Sequence, residues 1–234
     1  MTISAETGRQ VSINTTYTND ASQPVVSPSP AATSLSTTAA PEPPAWSLLE
    51  HQKCSHCPLK EDAYRHCPIA KNLGTVADDF KSERSFEKLT VEVLAPERTY
   101  QKKLALQEGL FGLFGLIMAT SDCPFFEFLR PMARFHLPFS TLKETTVRSV
   151  SMYLLRQYFV AKAGGVPDFE LKAFGGLYKD LEIVNLGIIN RIRSISKADA
   201  EANSVIILDG FAKLLSAQHA KNFSDLDQLF NSKT

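Results

Sequence analysis

The chain has 234 residues, with 25 Lys+Arg balanced by 25 Asp+Glu. A formal net charge of zero argues against general nucleic-acid binding, which needs a basic excess to displace counterions. Hydrophobic residues are 44% and charged residues 21%, ordinary for a soluble globular protein, and no apolar run reaches the roughly 18 residues of a membrane helix. The first six residues lack the basic and apolar regions of a secretory signal, so the expected compartment is the cytoplasm.

Residues 1–45 hold 15 Ser/Thr and six of the 13 prolines, with Glu6, Arg9, Asp20 and Glu42 as their charges. Such a segment cannot bury enough apolar area to offset its ordering entropy, and it reads as a disordered tail. Residues 46–234 form a single domain, in which Trp46 marks the start of order. Within it, 46–80 is a Cys/His-rich segment, 85–103 a β-hairpin and 104–220 a helical bundle.

The hairpin rests on the alternation Leu89-Thr90-Val91-Glu92-Val93, a turn at Pro96-Glu97 and a return strand over Arg98–Lys102. Two strands alone are marginal, so the pair must pack on something else. Residues 105–119 carry no charge from Gly109 onward and read as a buried core helix. Gly109, Gly112 and Gly115 leave part of one face as bare backbone, suited to close helix packing. Thr141 and Glu144 form a capping box. The helix it starts carries Val147, Val150, Leu154 and Tyr158 on one face and stops near Gly164-Gly165.

Asp168, after Pro167, is expected to cap the next helix. There Leu171, Phe174, Tyr178, Leu181, Asn185, Ile188, Ile192 and Ile195 alternate spacings of three and four, a heptad seam interrupted by Asn185. The seam reads as core within the chain, and an interface between two copies shows the same pattern. Ser196 can cap a helix carrying Val205, Leu208, Phe211 and Leu215, and Ser224 a short final turn pinned by Phe223 and Leu226. The fold class is therefore mainly α: a helical bundle with a small N-terminal β-hairpin and a Cys-rich, metal-tied segment.

The cysteines carry the chemistry. Cys54-x-x-Cys57 is a knuckle that lets two thiolates reach one ion, and Cys67 follows after nine intervening residues. The fourth ligand is Cys123, with His66, His56 and His51 as alternatives. Three of the four cysteines precede proline, at Pro58, Pro68 and Pro124. Proline favours the first helical position, so each cysteine is expected at a helix N-cap, where the helix dipole lowers a thiol pKa. A structural zinc site ranks first, and an iron–sulfur cluster, whose ligand runs also use Cys-Pro, is the alternative. A structural disulfide does not suit a reducing compartment.

A second constellation spans residues 119–139. Arg130 and Arg134 lie one helical turn apart and could clamp a carboxylate or phosphate, or pair with acids such as Glu127 or Glu144. His136 joins them as an anion- or partner-binding candidate. Cys123 with His136 could form a nucleophilic pair. No phosphate-binding glycine loop, G-x-S-x-G or H-E-x-x-H motif is present.

The runs Cys54-x-x-Cys57-Pro58-Leu59, Cys67-Pro68-Ile69-Ala70-x-Asn72-Leu73, Met118-Ala-Thr-Ser-x-Cys-Pro and Leu129-Arg-Pro-Met-Ala-Arg-Phe-His-Leu-Pro-Phe139 resemble an uncharacterised bacterial conserved-domain family over most of residues 50–215. The resemblance implies a bacterial, intracellular protein of one intact domain and brings no activity or catalytic residue. Asp122 departs from the glycine expected before Cys-Pro.

Two functions follow. The first is a non-enzymatic regulatory or scaffold protein, with a cysteine-held zinc fastening the N-terminal segment and a protein partner meeting the bundle or the tail. The second is a redox-active enzyme or sensor using Cys123 with His136, with Arg130 and Arg134 on an anionic substrate.

Overall fold

The computed structural model describes residues 2–4, 10–16, 25–29, 42–80, 85–86, 88–95, 98–195, 200–221 and 223–231. The expected disordered tail falls largely outside them. Three of its segments are backbone strands: β1 (Thr2–Ser4), β2 (Gln10–Thr16) and β3 (Val25–Ser29).

A short 3-10 turn, Ala45–Ser47, opens the body and buries Trp46. The chain then makes a loop closed at its base. Leu49 N–H donates to the Arg65 carbonyl at 3.0 Å and Cys67 N–H to the Ser47 carbonyl at 2.8 Å, so residues 47–49 and 65–67 run antiparallel. Cys54 and Cys57 sit inside this loop. Helix α1 (Pro68–Phe80) follows, with Pro68 as its first residue. Its inward residues Ile69, Ala70, Leu73 and Val76 are buried.

The hairpin forms as expected from its alternation. Strands β4 (Lys88–Leu94) and β5 (Thr99–Ala105) pair antiparallel, with Val91 opposite Lys102. Ala95 and Arg98 close the turn with reciprocal backbone hydrogen bonds of 3.0 and 3.2 Å. The tail strands extend the sheet in the order β3-β2-β1-β4-β5. Val91, Val93 and Leu104 point into the core, which supplies the packing that two strands alone lack.

Helix α2 (Leu106–Ala119) is the central core helix. Of its glycines, Gly109 is buried, Gly115 meets Leu208, whose Cδ2 an added Cβ would approach to 3.1 Å, and Gly112 faces open space. Close packing therefore explains Gly115 and not Gly112. A 3-10 turn, Pro124–Leu129, and the short helix α3 (Arg130–Arg134) follow.

Helix α4 (Leu142–Lys162) starts at the predicted capping box: Glu144 N–H donates to Thr141 Oγ1 and Thr141 N–H to Glu144 Oε2. It ends where glycine was expected, Gly164 taking φ 81° while Gly165 N–H returns to the Val160 carbonyl. Its buried face differs from the expected one. Thr146, Ser149, Tyr153 and Gln157 are buried, while Tyr158 is exposed together with Leu155 and Phe159. The buried hydroxyls explain the exchange, because Thr146 and Ser149 satisfy themselves on the helix carbonyls of Leu142 and Thr145.

Helix α5 (Phe174–Arg193) starts six residues after Asp168, so Asp168 is not its N-cap. The Asp168 carboxylate instead accepts from Lys172 N–H, Ala173 N–H and Tyr153 Oη, holding the turn that leads into the helix. The heptad seam is core within the chain. Phe174, Tyr178, Leu181, Asn185, Ile188 and Ile192 are buried, much of it against α6 (Ala200–Ala220), while Ile195 is exposed. Ser196 lies outside the described residues. The final helix α7 (Ser224–Asn231) follows buried Phe223. No single described helix is long and apolar enough to cross a membrane.

Candidate cysteine centre

Three chain segments bring the cysteines together. Cys54 and Cys57 come from the 50–64 loop, where Cys57 N–H donates to the Cys54 carbonyl at 3.0 Å. Cys67 is the N-cap of α1, its carbonyl accepting from Lys71 N–H at 2.9 Å. Cys123 is the N-cap of the Pro124 turn, its carbonyl accepting from Phe126 N–H at 3.0 Å. The proline rule therefore holds at Cys67 and Cys123. It fails at Cys57, because residues 58–60 are irregular.

All four cysteines are free thiols in one electrostatic neighbourhood. Cys54 is influenced by Cys67 and Cys57, and Cys123 by all three others. The expected lowering of thiol pKa is overturned at Cys123, and Cys54, for which no lowering was expected, is raised as well. Burial pushes Cys54 up to about 11, with Cys67 and Cys57 adding and Arg191 opposing. Burial likewise pushes Cys123 up to about 12 against the Phe125 backbone N–H, and the other cysteines add to it. The cost of burying a thiolate outweighs the helix terminus. Among the described residues no group of three or more His, Cys, Asp or Glu is disposed to hold a single metal ion.

Two features frame the thiols. At Gly187 of α5 an added Cβ would lie 2.7 Å from Cys54 Sγ, so the bare backbone there makes room for the sulfur. One turn on, Arg191 is 1% exposed. Its Nη1 donates to the carbonyls of Trp46 at 2.8 Å and Leu48 at 2.7 Å, and its Nη2 to that of Leu49 at 2.8 Å. Its Nε is buried without a partner. No carboxylate of a described residue lies within ion-pair distance of it, and Glu50 spends its charge on Lys53 at 2.7 Å. Burial lowers the Arg191 pKa, and Cys67, Cys54 and Cys57 are the leading opposing influences.

The histidine alternatives separate. His51 Nε2 lies 2.9 Å from Ser194 Oγ, and His66 Nδ1 lies 2.7 Å from Ser47 Oγ. His56 stacks on Phe125 with ring centroids 3.9 Å apart and sets Nε2 3.2 Å from the Asp180 carbonyl. Its Nδ1 is buried and unpartnered.

The second constellation disperses. Arg130 pairs with Asp122, at 3.4 Å, rather than with Glu127 or Glu144. Arg134 lies over the Phe135 ring at 5.5 Å. His136 lines a cavity with Arg148 and Tyr178, whereas the Cys123 surroundings are the other cysteines. The site residues not anticipated are Gly187, Arg191 and Arg148. Each reads locally as an ordinary helix residue, so no pattern marked it.

A family profile of unknown function, DUF6901, matches residues 18–231. The chain belongs to the DUF6901 family. The match takes in all four cysteines, both framing residues and every helix, so the cysteine centre lies within the DUF6901 domain. No curated protein and no solved structure matched the chain.

Proposed function

We propose that Cys54, Cys57, Cys67 and Cys123 hold one iron–sulfur cluster, and that the protein is a regulatory module whose N-terminal segment is docked by that cluster. The observation that carries this reading is Arg191. A guanidinium 1% exposed, with three cysteines around it and no carboxylate of a described residue within ion-pair distance, Glu50 acting on it only from further away, calls for an anion at that point. Four thiolates around an inorganic centre are such an anion. The buried, unpartnered His56 Nδ1 adds a polar group in the same region with nothing to bond.

The Cys-Pro steps at Cys57, Cys67 and Cys123 support a cluster over zinc, because iron–sulfur ligand runs use that step. Bound there, a cluster would supply the anion for Arg191 and tie the 50–64 loop to α1, the Pro124 turn and α5. The chain's own part is to deliver four thiols, exclude water and neutralise charge. A metal must displace protons that burial holds on Cys54 and Cys123, so loading releases protons and strengthens as pH rises.

The test is iron, zinc and acid-labile sulfide per chain on protein purified without oxygen, alongside the visible spectrum. Iron and sulfide in comparable amounts with a broad visible band are expected, lost in Cys67→Ser and in Cys123→Ser. About one zinc with no visible band would replace the cluster by the structural zinc site. Metal-free protein with wild-type stability would overturn both.

A further inference from the structure

A cavity of about 140 Å³ opens between α2, the start of α4, α5 and α6. It lies across α5 from the cysteines: Asn185 lines the cavity, while Gly187 and Arg191 meet the cysteine loop. Phe111, Leu116, Phe126 and Leu181 are among its apolar walls. Hydroxyls of Ser140, Thr145, Ser149 and Tyr178 also line it, and three further polar groups matter for a ligand: Asn185, Arg148 and His136. Asn185 is 3% exposed, and its Oδ1 is buried without a hydrogen-bond partner. Arg148 gives Nη2 to the carbonyls of Met132 and Phe135, and no carboxylate of a described residue lies within ion-pair distance of it. His136 stands beside Arg148.

We propose that this cavity binds a single-ring aromatic monocarboxylate carrying a hydroxyl group. Size sets the first term, since a cavity of roughly 150 Å³ lined by apolar side chains accepts one benzene ring. Arg148 sets the second, as a cation whose remaining donors can take a carboxylate. Asn185 sets the third. A buried carbonyl oxygen with no donor is costly, and a hydroxyl on the ring supplies one. Burial and Arg148 hold His136 neutral, with a pKa lowered to about 4, so it adds no second cation. Gly112 lines the cavity and faces open space, which keeps the mouth clear.

The experiment is calorimetric titration of the full-length protein with benzoate, phenol and the three hydroxybenzoate isomers. At least one hydroxybenzoate should bind about tenfold tighter than benzoate, and about tenfold tighter than phenol. Gly112→Leu puts a side chain into the mouth where nothing stands within 4 Å of its Cβ, so it should fold and lose binding. Asn185→Leu should retain benzoate and erase the hydroxyl preference. No binding to wild type, equal binding by Gly112→Leu, or phenol binding as tightly as every hydroxybenzoate would each overturn the proposal.

Discussion

Replacing Arg191 by Met keeps the length of the side chain and removes the charge and every donor. Three hydrogen bonds of 2.7–2.8 Å to backbone carbonyls are lost at once. Each bond from a charged donor is worth about 1.5–3 kcal/mol, and the carbonyls of Trp46, Leu48 and Leu49 lose their donor. The variant also recovers the cost of burying a guanidinium, which offsets part of the loss. The net expectation is a destabilisation of about 3–5 kcal/mol, or a melting temperature lower by roughly 6–20 °C for a domain of this size. The assay is a reversible urea melt followed by circular dichroism, run in wild-type and Cys67→Ser backgrounds. If a cysteine-held anion balances Arg191, the cost of Arg191→Met should shrink by about 1–2 kcal/mol in the Cys67→Ser background. A cost below about 1 kcal/mol in the wild-type background would refute the structural role. Equal costs in both backgrounds would refute the charge pairing.

Three further expectations test separate parts of the fold. Gly187→Ala sets a Cβ 2.7 Å from Cys54 Sγ, so it should lower metal content and destabilise by about 1–2 kcal/mol; an equally stable, fully loaded variant would show that the sulfur does not sit there. His136 has a folded-state pKa near 4, below the roughly 6.5 of an unfolded histidine. Its neutral form therefore contributes full stability above about pH 6.5, and that contribution declines as pH falls toward 4. Urea midpoints of His136→Phe should flatten across that window relative to wild type, and parallel curves would contradict the burial of this ring. Thr141→Ala removes the capping hydroxyl of α4 and should cost about 1 kcal/mol by thermal melt; no change would mean that the cap is redundant.

Local patterns carried much of the architecture because local physics made it. The β4–β5 hairpin follows from period-two alternation, and α4 begins and ends at its capping box and its glycines. Cys67 and Cys123 are N-caps because proline fits the first helical position. Where local rules failed, a tertiary term outweighed them. The dipole should have lowered the thiol pKa of Cys123, yet burial raised it. The apolar face of α4 should have been buried, yet Tyr158 is exposed and Ser149 is buried. Arg130 pairs with an acid as expected, and the 3-10 turn that folds the chain back makes Asp122 that acid.

By itself the sequence determined the class of fold, most helix limits set by caps and breakers, and the four cysteines as the candidate centre of the chain. Each depends on neighbours within a few residues or on residue type alone. Only the tertiary structure decided that Cys123 joins a knuckle more than 60 residues upstream, and that Arg191 reaches back to Trp46, Leu48 and Leu49. It alone opened a cavity beside Asn185, on the other side of the helix that carries Arg191. Those outcomes depend on which helix faces meet across the bundle, and hence on desolvation. A charge or a carbonyl oxygen shows its need for a partner only when the surrounding chain has removed the water.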